Sequence, residues 1–177
     1  ELTEFLDKAL ASAPNEPIGE LKALVCPHAG YRYSGEIAAR AYKLLAGREY
    51  ETVLLPAPSH YGLFDGASVS AADAYRTPLG LVNISSKARE LAKTSPLVVE
   101  APCLVQRPDW WRQSPITRPE AGKDTPHTWE HSAEVQVPFL QKTLCQFELV
   151  PVILGRVDPA QLAAALARHL DDHTLVV

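Results

Sequence analysis

Short apolar runs alternate with amphipathic stretches along most of this chain. Residues 2–11 carry apolar positions at helical spacing, and Pro14, Pro17 and Gly19 predict the loop that follows. "LKALVC" (21–26) is a continuous apolar run of strand length. Ser34 then predicts an N-cap for a helix over about 35–46, in which Ile37, Ala38, Ala41, Tyr42 and Leu45 share one face and Gly47 ends it. "TVLLPA" (52–57) predicts the next strand, broken by two prolines into a loop that carries His60. Further on come a short strand at 67–70, a turn at "YRTPLG", a surface helix at 85–94 and a strand in "PLVVEA". The remaining pattern predicts a helix over about 130–144 bent by Pro138, a strand at 147–154, an N-capped helix at 158–170 and a last strand in "TLVV".

Strands that alternate with helices imply an α/β fold with a mostly parallel sheet covered on both faces. Neither a repeat nor a second domain interrupts the pattern, so residues 1–177 are expected to form a single domain. Residues 102–127 stand out by their five prolines and the pair Trp110–Trp111, and predict an irregular insertion loop. The tryptophans could cap a pocket, meet a partner or anchor the loop to the core, and anchoring is the default.

Composition narrows the function. A chain of 177 residues with 46% hydrophobic content can bury a real core, and a net charge of −4 without a basic stripe excludes nucleic acid as a partner. No apolar segment reaches the roughly 20 residues of a membrane span, and the acidic, amphipathic N-terminus is unlike a signal peptide. Three cysteines at unrelated spacings argue against a disulfide framework and for a reducing, cytoplasmic compartment. The absence of methionine and the apolar run at the end predict a fragment, truncated at its C-terminus.

In parallel α/β folds, ligands bind beyond the carboxyl ends of the strands. His28 and His60 both follow strand-like runs, so neighbouring strands would bring their imidazoles within reach of one ion. The plainer alternative is that each histidine only bonds loop backbone. "HTWEHS" (127–132) sets His127 and His131 four apart, one face of a helix if the segment is helical, which leaves a zinc hydrolase as a weaker idea. Glu130 suits a helix start. Cys26 lies two residues before His28 and reads either as a soft ligand or as a small buried apolar residue. Tyr31 and Tyr33 supply hydroxyls and stacking surface to a pocket, or simply pack. Ser59 beside His60 does not make a nucleophile and base, and His169 and His173 receive no role.

Three motifs in order, "PHAGYRYSG" (27–35), "PSHYG" (58–62) and "EHSAEVQVPFLQ" (130–141), resemble the Memo family (mediator of ErbB2-driven cell motility). Microbial members of that family are described as protein B of the AmmeMemoRadiSam system. "AYRTPLG" (74–80) and "VPVILG" (150–155) also match, so the resemblance spans about residues 21–177. It implies a three-layer α/β/α sandwich similar to class III extradiol dioxygenases, with a metal cleft at the strand ends. His28 and His60 match the family's two histidine ligand positions. His131 matches a segment bordering the cleft and is the candidate catalytic residue, with Tyr31, Tyr33, Ser59, Glu130 and Glu134 lining it. Further ligands, among them a cysteine in the best-known members, are expected beyond Val177. The resemblance implies iron or copper, with zinc as a third choice, and a small-molecule or peptide ligand. Two functions follow: a metal-dependent, dioxygenase-like redox protein, or a non-enzymatic binding module whose metal site is vestigial.

Overall fold

The computed structural model describes residues 1–107, 109 and 123–177. The helices are α1 (Leu2–Ser12), α2 (Tyr31–Lys43), α3 (Lys87–Leu91), α4 (Val137–Thr143) and α5 (Pro159–Ala167). The strands are β1 (Thr52–Pro58), β2 (Gly62–Leu63), β3 (Ala67–Val69), β4 (Ala74–Thr77), β5 (Gly80–Asn83), β6 (Leu97–Val99), β7 (Leu104–Val105), β8 (Glu148–Leu154) and β9 (Thr174–Val176). The central sheet has the order β6-β3-β8-β1-β9, in which only the β3–β8 pairing is antiparallel. β4 and β5 form a hairpin where the sequence predicts only a turn, and β2 pairs with β7.

Alternation along the two central strands separates the layers. Val53, Leu55 and Ala57 of β1, with Leu149 and Ile153 of β8, enter one core with Leu6, Ala39, Tyr42, Phe139 and Leu140 from α1, α2 and α4. Leu54, Val150 and Val152 point the other way, into a second core with Ala88, Leu91, Leu162 and Leu166 from α3 and α5. Two apolar faces on one sheet require cover on both sides, and that produces the α/β/α sandwich.

Several boundaries differ from expectation, each for a local reason. The run at 21–26 contributes one bridge, Ala23 to Val176, flanked by Leu24 N–H to the Val176 carbonyl at 2.9 Å. Beyond it the chain peels away: Val25 is 98% exposed, and Pro27 has no N–H to extend a ladder. α2 starts at Tyr31 with Gly30 as its N-cap, because the Ser34 hydroxyl donates backwards to the Ala29 carbonyl at 3.1 Å instead of capping. The helix expected over 130–144 is only α4, preceded by a 3-10 turn at Glu134–Gln136. Pro138 does not bend it but sits in its first turn, where a missing N–H costs nothing. Asp158 does cap α5, accepting from Gln161 N–H at 2.9 Å. All three cysteines are free. Trp110, Trp111 and most of the 102–127 loop lie outside the described residues; its described part contains β7.

Candidate metal centre

β1 ends at Pro58, and the chain turns at once. Ser59 N–H donates to the Leu154 carbonyl at 3.0 Å, and the Ser59 hydroxyl donates to the Gly62 carbonyl at 2.8 Å. Ser59 therefore shapes the turn that presents His60. His28 arrives on the loop between the Ala23 bridge and α2. The segment before α4 supplies Glu130 and His131, and the Ser132 hydroxyl fastens it to the Pro58 carbonyl at 2.7 Å. Three separate segments thus meet beyond the carboxyl end of β1.

The meeting is close. Ring centres of His28 and His60 are 5.2 Å apart, those of His60 and His131 4.7 Å, and those of His28 and His131 6.4 Å. An imidazole nitrogen binds a transition metal at about 2.0–2.1 Å, so rings sharing one ion have centres roughly 4.5–6.5 Å apart. His60, Glu130 and His131 each offer a donor atom, all within 4.8 Å of one another, and this group could hold a metal ion.

Glu130 has a different character from the imidazoles. Its carboxylate is almost wholly buried and accepts His60 N–H at 2.5 Å on Oε2, and His131 and Ser132 N–H, each at 2.9 Å, on Oε1. Oε1 also lies 2.8 Å from His60 Nδ1. Burial alone would raise this carboxyl, but the bonds from His60 and Ser132 outweigh it and hold Glu130 below the ordinary carboxylate range. An ionised carboxylate only accepts, so the shared proton sits on His60 Nδ1 and leaves Nε2 as a lone-pair donor. Glu130 is therefore better placed to orient a ligand than to be one. Burial and the neighbouring His60 and His28 rings lower the pKa of His131, which favours its neutral, ligating form.

The remaining predicted residues divide. Tyr31 spends its hydroxyl on the Val135 carbonyl at 2.9 Å, tying α2 to the 3-10 turn. Tyr33 is 83% exposed on α2 and packs in neither core. Glu134 reaches solvent at the rim, yet enough protein surrounds it that burial raises its carboxyl. The zinc pairing of His127 with His131 loses its premise, because residues 127–131 are not helical. His127 instead faces Tyr75, whose hydroxyl lies 3.0 Å from its Nδ1. Two things escaped the sequence reading: the buried orienting role of Glu130, and the Tyr75–His127 contact across 52 positions. Neither has a local signal, since each depends on how loops cross the sheet ends.

The geometry defines a class: an α/β sandwich with a cluster of imidazoles around a buried carboxylate at the rim of its sheet. A family profile described as Memo-like protein matches residues 1–177, and the chain belongs to that family. It is 34% identical over 159 residues to a MEMO1 family protein of Aquifex aeolicus, covering 89% of this chain and 50% of that protein. It is 40% identical over 166 residues to one of Aeropyrum pernix, covering 85% and 52%. The memo-1 homolog of Caenorhabditis elegans is 32% identical over 157 residues, 88% of this chain and 37% of that protein. The chain thus spans about half the length of the microbial relatives and less of the nematode one. No helix among the described residues is long and apolar enough to cross a membrane.

Proposed function

We propose that this chain carries the histidine part of a redox-active transition-metal site, with His28, His60 and His131 as donors and Glu130 as the group that fixes His60. The observation that supports it most is the convergence of three rings at 4.7–6.4 Å, two of them against a carboxylate whose own oxygens already accept backbone N–H groups. Imidazole donors suit iron, copper and zinc, and iron or copper would supply one-electron chemistry with oxygen that zinc cannot. The chain's part is to hold the imidazoles pre-aligned. Glu130 fixes the ring orientation of His60 through the Nδ1 bond, and burial favours the neutral, ligating form of His131. His60 and His131 are each 37% exposed, so the cluster opens to solvent on one side, where a small molecule or peptide could approach.

The test is metal analysis of protein purified without air, followed by oxygen uptake with catechols and ascorbate. The redox reading expects stoichiometric iron or copper that is lost in His28→Ala and His60→Ala, with oxygen uptake lost alongside. Metal-free protein that binds its ligand equally well with and without those substitutions would make this a binding module instead.

A further inference from the structure

The metal reading leaves unused a buried pair, Tyr75 and His127. Tyr75 on β4 sets its hydroxyl 3.0 Å from His127 Nδ1. The far nitrogen of that ring, Nε2, is buried and has no hydrogen-bond partner of good geometry within the protein, and neither has Oε2 of Glu100. The carbonyls of Ser68 and Val69 and the Glu100 carboxylate all act on the His127 ring. Each of these groups can only accept, so the ring proton belongs on Nε2, and Nδ1 is left to accept from the phenol. Glu100 is itself held in place at a cost. Its φ is +46°, in the left-handed region, fixed by its N–H to Val69 O at 3.0 Å and by Ala71 N–H to its Oε1 at 2.7 Å.

This arrangement differs from that of every other tyrosine in the chain. Tyr31 and Tyr50 donate to the backbone carbonyls of Val135 and Leu21, and Tyr42 donates to the amide oxygen of Gln136. None of those oxygens takes up a proton at ordinary pH. Tyr33 is exposed, and Tyr61 has ring contacts with His60 and His131. Tyr75 is the tyrosine whose phenolic proton has a hydrogen-bonded base to go to.

We propose that Tyr75 is a one-electron redox site, with His127 as its proton acceptor and Glu100 as the counter-charge. A one-electron oxidant, such as an oxidised transition-metal ion, takes an electron from the phenol. As it does so the Tyr75 O–H bond breaks, an N–H bond forms at His127 Nδ1, and a neutral tyrosyl radical faces an imidazolium. The Glu100 carboxylate stabilises that imidazolium, and reduction reverses the transfer. Burial, reinforced by the Glu100, Glu134 and Glu130 charges, raises the Tyr75 pKa, so the phenol does not ionise unaided and needs a base. Burial likewise keeps His127 neutral until the proton arrives. The proposal extends the redox reading above, yet its test needs no bound metal, so the two can fail separately.

The experiment is flash photolysis of the whole metal-free chain with ruthenium(III) tris-bipyridine as the oxidant. Electron paramagnetic resonance reads the radical, and electron–nuclear double resonance on protein labelled with ¹⁵N-histidine reads its hydrogen bond. The expected result is a tyrosyl signal coupled to a histidine nitrogen and to an exchangeable proton, lost in Tyr75→Phe. In His127→Gln the nitrogen coupling disappears and the yield falls. A signal that survives Tyr75→Phe, or one identical in wild type and His127→Gln, would overturn the proposal. Should either variant fail to fold, the wild-type measurement alone decides, because a radical without histidine-nitrogen coupling is equally contrary to it.

Discussion

The two ends of the central sheet are built from the same strands and differ in kind. At the carboxyl end, His60 and His131 lie against one buried carboxylate, and the His28 ring lies 5.2 Å from that of His60. At the amino end, where β1 and β8 begin, a broad concavity of about 1290 Å³ is lined by residues such as Tyr50, Thr52, Leu81, Lys87, Glu148 and His173. That end has the volume, but its lining holds one histidine, His173, and no set of three converging metal donors is found there among the described residues. The convergence of donors, not the size of a hollow, is what singles out the carboxyl end as the proposed metal site. A parallel pair such as β1–β8 makes this asymmetry natural, because both chains leave the sheet on the same side and their loops meet there.

The sharpest way to break this contrast is to remove its organiser. Glu130→Ala leaves the N–H groups of His60, His131 and Ser132 without their acceptor, so unfolding in urea should show a loss of about 2–4 kcal/mol. A loss below about 0.5 kcal/mol would mean that solvent replaces the carboxylate, and that the cluster is not pre-organised.

Next in size is the milder change Glu130→Gln, which keeps the volume and removes the charge that holds His60. An outer group of this kind is worth roughly 10–100-fold in metal affinity, readable by anaerobic titration with iron(II). Equal affinity in wild type and variant would assign Glu130 to the fold alone.

Acid should weaken the carboxyl end in two stages. His131 and His127 have folded pKa values below the ordinary 6.5, so the unfolded chain binds more protons as pH falls from that value, and stability drops. Glu130 is also depressed, below 4.5, and its contribution is complete above that pH and lost as pH falls through its folded value. Urea midpoints measured from neutral to acid pH should decline in both windows. His131→Asn should shrink the first decline without altering the second, and an unchanged profile would remove His131 from the account.

The smallest effect is expected at the other end. Leu81 is 63% exposed on the amino-end concavity, and Leu81→Ser should change stability by less than about 0.5 kcal/mol and leave metal binding untouched. A clear fall in metal affinity would couple the two ends and undo the comparison.

Much of this design is legible in the residues. Continuous apolar runs mark β1 and β8 because both of their faces are buried, and Asp158 announces α5 because a carboxylate caps free N–H groups. His60 stands out because it follows the buried strand β1, whereas His28 follows an apolar run that contributes only the Ala23 bridge and still reaches the same end of the sheet. What could not be read is the part decided by loops crossing in space. A glutamate beside a histidine suggests a helix start, whereas Glu130 turns inward and gathers three backbone donors. Tyr75 lies in a stretch that reads as a turn, and nothing near it in sequence points to His127. Ser34 shows the limit at short range: a capping residue type was present, but its hydroxyl found the Ala29 carbonyl first.

The most direct measurement is X-ray absorption at the iron edge on the anaerobic one-to-one iron(II) complex, compared between wild type and His60→Ala. The account predicts multiple-scattering features from three imidazoles in the wild type, reduced by one ring in the variant. A first shell of oxygen donors only, identical in the two proteins, would contradict it.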